Sequence, residues 1–290
     1  MSSILTNASA LTALRNLAST QSSLNKTQSQ ISTGLKVAAA ADNTTNWSVS
    51  TQMKTDNSVI KTIKDTLKQN SDLLNTASSA IDGLVSAIDK IKVELAKAKD
   101  VKDGNYAAIN TSLAKIGAEI NGILGNAALN NVNLLDGSLT DMDTGTTGNQ
   151  VTMVSGWAGG TTGGFKSISV TLTALGGASG ALTSGTVAVN AISITTLASI
   201  DTAATAVETA LQTTRNFATE LGAAKNQIEA QSKFLGVLSE SITNSVSTLV
   251  DADMNEASTR LQALQTQQQL GVQSLSIANQ NSQMILKLFN

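Results

Sequence analysis

Three clusters in this 290-residue chain have residue types and spacing that could do chemistry. Asp251, Asp253 and Glu256 stand close enough in sequence to gather carboxylates around a cation or a proton. The run that holds them, Asp251-Ala252-Asp253-Met254-Asn255-Glu256, falls where one apolar period stops and another begins, so acidic residues capping a helix start are the simpler reading. Asp141-Met142-Asp143-Thr144-Gly145 begins like a calcium loop but lacks the third ligand and the closing Glu, and reads as loop. Gly156–Gly164 is rich in glycine. Without the Gly-Lys-Ser/Thr ending that reaches phosphate and magnesium, it reads as loop too. Composition narrows the field further. With no His and no Cys, the chain lacks the commonest general base, most zinc sites, every thiol nucleophile and all disulfides. The expectation is a protein that is not an enzyme and holds no metal or cofactor.

A formal net charge of −2 argues against nucleic acid or an anionic membrane as partner. The first twenty residues carry one charge, Arg15, and no basic stretch followed by an apolar core, so no cleaved secretory signal is expected. The longest uncharged stretches, Ser167–Ile200 and Leu261–Leu286, are studded with Ser, Thr, Gly, Gln and Asn and do not read as membrane spans.

What remains is periodicity. Sampled in steps of three and four, Asn46 to Ala98 gives a stripe through Ile60, Leu67, Leu74, Ile81, Ile88 and Leu95. Ile200 to Ala252 gives a second, through Val207, Leu221, Ile228, Leu235, Ile242 and Leu249. A 3.5-residue repeat held this long predicts helices that supercoil against a partner, each a rod of roughly 80 Å. No Pro interrupts either. Their apolar seams alone fall short of the cost of ordering two such rods, so flanking faces must be buried as well. A third helix with Tyr106, Ile109, Leu113, Ile116, Ile120, Ile123 and Ala127 on one face is expected to fold back on the first rod. Near the end of that rod, Lys90, Lys92, Lys97 and Lys99 alternate with Asp89, Glu94 and Asp100, the pattern of a solvated face.

Both ends of the chain repeat the period in weaker form. Leu14, Leu17, Leu24, Ile31 and Leu35 are interrupted by Gln21 and Gln28; Leu261, Leu264, Leu275, Ala278 and Ile285 by Gln268 and Ser282. Buried amides at such positions set register rather than add stability. A joint at Gly34 and Ala38–Asn46 parts the first weak stripe from the first rod. The middle, rich in Gly, Thr and Ser, predicts a small β element: a strand through Ile168, Val170, Leu172 and Ala174, another beginning at Val151 and Met153, and a bulged strand through Val187, Val189, Ile192 and Ile194. The fold class is mainly α, a long antiparallel coiled-coil helical hairpin or bundle with a small β-rich insert.

At this point the residues resemble bacterial flagellin. Ile31-Ser32-Thr33-Gly34-Leu35-Lys36 followed by Ala41-Asp42-Asn43, then Asn133-Leu134-Leu135-Asp136-Gly137, resemble its N-terminal half. Asp251-Ala252-Asp253-Met254, Leu264, Gln267-Gln268, Leu270-Gly271, Leu275, Ala278-Asn279-Gln280 and Leu286–Leu288 resemble its C-terminal signature. Asp42-Asn43-Thr44-Thr45-Asn46-Trp47-Ser48 is most similar to the flagellins of rhizobia and other α-proteobacteria.

The resemblance implies three regions. Residues 1–45 with 254–290 would form the terminal inner-tube domain, with Leu14, Leu17, Leu24, Ile31, Leu35, Leu261, Leu264, Leu275, Ala278, Ile285 and Leu288 in self-assembly. Residues 46–140 with 198–253 would form the rod core around the seam, and 141–197 a short variable β-rich insert facing solvent. Asp42, Asp251 and Asp253 would mark the joint. It further implies a homopolymeric filament outside the cell, export through the flagellar type III apparatus, and other flagellins, hook-associated junction and cap proteins and an export chaperone as partners. A junction subunit between hook and filament is the alternative. Where many flagellins carry Gln-Arg-Val-Arg-Glu-Leu, recognised by Toll-like receptor five, this chain has Asp89-Lys90-Ile91-Lys92-Val93-Glu94-Leu95, with Val93 where Glu would sit. Weakened immune recognition is expected at Lys90, Lys92 and Val93. The family's usual Pro near the C-terminus is absent, with Asn281-Ser282-Gln283 in that region.

Overall fold

The computed structural model describes residues 7–101, 104–130, 132–136, 150–159, 164–177, 180–184 and 188–288, with the side chains of Gln150, Val151 and residues 281–288 outside that description. Five helices dominate: α1 (Ala8–Thr33), α2 (Thr44–Lys99), α3 (Ala107–Asn126), α4 (Leu197–Val250) and α5 (Met254–Leu288). Between α3 and α4 lie two antiparallel pairs, β1 (Ala128–Leu129) with β2 (Val132–Asn133), and β3 (Gln150–Ala158) with β4 (Gly164–Thr171). The fold is mainly α. The chain divides into two compact units, Met1–Asn57 with Glu240–Asn290 and Ser58–Ser239.

In the unit spanning 58–239 the heptad seams are the core. On α2, Ile60, Leu67, Leu74, Ile81, Ile88 and Leu95 are buried; on α4, Val207, Leu221, Ile228 and Leu235 are. The helices run antiparallel, because Lys92 meets Glu208 at 2.7 Å and Lys99 meets Asp201 at 2.8 Å. Thr214, polar at a seam position, is fully buried and donates its hydroxyl to the Ala210 carbonyl one turn back, which satisfies it without a partner helix. α3 returns along α2: Lys90 pairs with Glu119 at 2.8 Å, and Ile123 comes close to Gly83. Tyr106, Leu113, Ile120 and Ala127 of its apolar face are buried, while Ile109, Ile116 and Ile123 are half-buried.

After α3, Asn130 in the left-handed region (φ 51°) turns β1 into β2. The buried Asn133 fixes this corner, donating to the Leu124 carbonyl and accepting from the Leu135 N–H. β3 begins at the expected place, and its register with β4 shifts between Val154 and Gly156. Three expectations for the insert need correction. The strand expected through Leu172 and Ala174 ends at Thr171. Gly156 to Ala158 and Gly164 belong to strands, so the loop is shorter than the glycine content predicts; Gly156 pairs with Lys166 and Trp157 with Phe165. Val189–Ala191 is a 3-10 turn and not a bulged strand, while Val187 lies outside the described residues. A strand needs a ladder, and here the backbone finds other partners. Asn190 N–H donates to the Leu182 carbonyl, and Ile194 exchanges two hydrogen bonds with the Asn110 side chain of α3.

Candidate self-assembly site

The site is built in the other unit, 1–57 with 240–290, from the two chain ends. α1 starts at Asn7, whose side chain accepts from the Ala10 N–H, and ends at Gly34, whose positive φ of 71° suits a residue without a Cβ. The chain then pairs briefly with the junction of α4 and α5. Lys36 N–H donates to the Val250 carbonyl at 2.7 Å and Ala252 N–H to the Gly34 carbonyl at 2.9 Å, with Leu35 bridged to Asp251.

Three aspartates hold this joint. Asp42 accepts from the N–H groups of Ala38 and Ala39, both at 3.2 Å, and pairs with Lys26 at 3.3 Å. The Ala39 N–H, then Lys26 and the Ala38 N–H, hold its carboxyl below the ordinary range. Asp253 caps α5, accepting from Asn255 N–H at 2.8 Å and Glu256 N–H at 3.3 Å. Asp251 accepts from the Ser247 hydroxyl. Glu256 is taken by Arg260 at 2.8 Å. These carboxylates are spent on backbone and neighbouring side chains, and among the described residues no three acidic groups converge as a metal site.

Beyond the joint, α1 and α5 lie antiparallel. Asn7 donates to the Ala278 carbonyl, Gln268 donates to Gln21 at 2.7 Å, and Leu17 touches Gly271. The paired glutamines occupy the polar positions of the two weak stripes and tie their register. Little is buried. Leu24 and Thr27 on α1 and Ala257 on α5 are covered. Leu17, Ile31, Leu35, Leu261, Leu264, Leu275 and Ala278 are half-buried, Leu14 is 53% exposed, and Ile285 and Leu288 have side chains outside the described set. Ile242 and Leu249, at the end of the α4 seam, are half-buried in this unit, where Asn57 of α2 donates to Thr243 at 3.1 Å. Stripe reading passed over Leu11, Leu270, Val272 and Ile277, each more than half exposed. Their signal in sequence is weak: large apolar residues off the main stripe, on helices that have few of them. In the other unit, Lys90 and Lys92 are held in ion pairs and Val93 is exposed.

Two chain ends that pair as helices while keeping large apolar side chains in the open define a subunit of an assembly rather than a finished globule. Comparison with known proteins says which. Residues 4–140 match the bacterial flagellin N-terminal helical region and residues 204–289 the bacterial flagellin C-terminal helical region. The chain is similar over its full length to a flagellin of Brucella melitensis, at 43% identity and 99% of that protein. Flagellin FljO of Caulobacter vibrioides and flagellin C of Rhizobium meliloti are each 34% identical, with 100% of this chain and 99% of theirs covered. The chain belongs to the bacterial flagellin family and is a structural subunit of the extracellular flagellar filament that drives swimming. Nothing in these relatives favours the hook–filament junction subunit.

Proposed function

We propose that the self-association of this subunit runs through α1 and α5, which form the inner tube of the filament, while the α2–α4 seam holds each subunit together and the insert faces solvent. One observation carries the reading: α1 and α5 pair with each other yet leave Leu11, Leu14, Leu270, Val272 and Ile277 more than half exposed. Burying such side chains is worth about 1.5–3 kcal/mol each, and only a neighbouring subunit can do it. In this reading residues 1–45 with 254–290 are the inner-tube domain, 46–140 with 198–253 the rod core, and 141–197 the insert. Asp42, Asp251 and Asp253 mark the joint. Subunits travel through the flagellar type III export apparatus, and other flagellins, the junction and cap proteins and an export chaperone are the further partners.

Deleting residues 1–35 or 262–290 should abolish seeded polymerisation while the helical circular-dichroism signal of the rods persists. Filaments that still grow after either deletion would remove α1 and α5 from the assembly.

A further inference from the structure

The hairpin of β3 and β4 is tied to α4 at two heights. The Gln231 side chain donates to the Ser155 carbonyl at 2.7 Å, and the Thr173 N–H, just past β4, donates to Glu220 at 3.3 Å. Met153, Ile168 and Val170 are buried on one face of the hairpin. Alternation along β4 sends Phe165, Ser167, Ser169 and Thr171 to the opposite face, together with the cross-strand partners Trp157, Val154 and Thr152. This outer face is open. Phe165 is 65% exposed, Ser167, Ser169 and Thr171 are exposed, and Trp157, Val154 and Thr152 are half-buried. Lys166, the one charged residue in the sequence of the two strands, falls on the other side of the pleat.

Two properties mark the face. The chain is only 2% aromatic, and Tyr106 and Phe217 are spent in the core. Trp157 and Phe165 stand together on the surface instead, ring centroids 5.2 Å apart and tilted by 58°. Beside the rings runs a neutral ladder of hydroxyls: Ser167, then Ser169 opposite Thr152, then Thr171. Rings and ladder together span about 20 Å of strand. An aromatic face carries negative charge density, which attracts the C–H groups of a flat sugar ring. Ser and Thr hydroxyls both donate and accept, as sugar hydroxyls do. The centre of a protein interface would continue apolar past the rings, and here the surface turns polar at once. Without charge it also offers an ionic partner nothing to pair with.

We propose that the outer face of β3 and β4 binds neutral β-linked glycans. One sugar ring lies on Trp157 and Phe165, and the following rings run along Ser167, Thr152 and Ser169. The proposal rests on the reading that the insert faces solvent. One such face binds weakly, but a filament repeats it on every subunit, so a polysaccharide surface meets many at once.

The test has two arms on the full-length protein. Trp47→Phe leaves Trp157 as the only tryptophan, and its fluorescence is followed in the unpolymerised subunit as cellohexaose is added. Filaments are mixed with microcrystalline cellulose and spun at a speed that pellets cellulose alone. The emission should shift and saturate, and the filaments should enter the cellulose pellet. Trp157→Ala/Phe165→Ala should abolish retention. That variant also removes a cross-strand pair, so a second one keeps the rings. Ser167→Val/Ser169→Val places better strand formers in the ladder and should weaken retention several-fold without lowering Tm. No emission shift and no retention overturns the proposal, as does retention that neither variant lowers. Filament growth lost with the two rings would make them an assembly contact and overturn it too. A subunit that responds to cellohexaose while its filaments ignore cellulose upholds the binding face and counts against a solvent-facing insert.

Discussion

Gly117 of α3 lies so close beneath the Asn190 carbonyl that a Cβ at that position would stand 2.1 Å from the oxygen, far inside the contact distance of the two atoms. This approach seats the 3-10 turn on the helix. The obstacle is backbone, which cannot swing aside as a side chain would. Gly117→Ala is expected to destabilise the 58–239 unit by about 1–3 kcal/mol, read as a lowered Tm. Gly122→Ala, on the same helix with open space around it, should be neutral or stabilising by up to about 1 kcal/mol.

Asn110 substitutes for a missing neighbouring strand. Its side chain donates to the Ile194 carbonyl and accepts from the Ile194 N–H, both at 2.9 Å. Asn110→Leu leaves two partly buried backbone groups without partners, at a cost of about 1–3 kcal/mol for each. Hydrogen exchange at the Ile194 amide should quicken in this variant before exchange on α3 does.

Asp42 makes the joint sensitive to acid. Its carboxyl is held below the ordinary value of 3.8 by the Ala39 N–H, Lys26 and the Ala38 N–H. A depressed carboxyl contributes stability above its unfolded value and loses it as pH falls through the folded one. The Ala38 and Ala39 amides should therefore stay protected above the ordinary value of 3.8 and become exposed only as pH falls through the lower value of the folded carboxyl. Asp42→Asn should lack this transition, and a transition centred near neutral pH in wild type would contradict the assignment.

Recognition by Toll-like receptor five should be weak. In place of two arginines the chain has Lys90 and Lys92, which lack the planar two-pronged donor and are drawn into ion pairs with Glu119 and Glu208. Val93 stands, exposed, where Glu is usual. A reporter-cell assay should give a response well below that of an enteric flagellin, and an equal response would exclude this reading.

The long helices were legible in the residues because a heptad stripe is a local signal. From Ile60 to Leu95 every seventh residue is apolar, and each of those side chains is buried. The hairpin strands were legible in the alternation of Ile168 and Val170, both buried, and in the start at Val151 and Met153. The turn at Val189–Ala191 was not. Its alternating pattern fits a strand, and only the nearby Asn110 and Gly117, distant in sequence, decide against one. The terminal helices are intermediate. Their stripes set where α1 and α5 run, but the small number of side chains that pairing covers depends on how two weak stripes meet.

Sequence by itself determined the periods, the caps, the absence of His and Cys and the family, because each is a property of neighbours along the chain. Tertiary structure alone decided which charges are used. Lys92 and Lys61 look alike in sequence. Only the antiparallel packing of α4 sets Glu208 beside Lys92, and among the described residues no carboxylate lies within ion-pair distance of Lys61. Long-range pairing depends on which helices meet and at what height, and no local pattern encodes that.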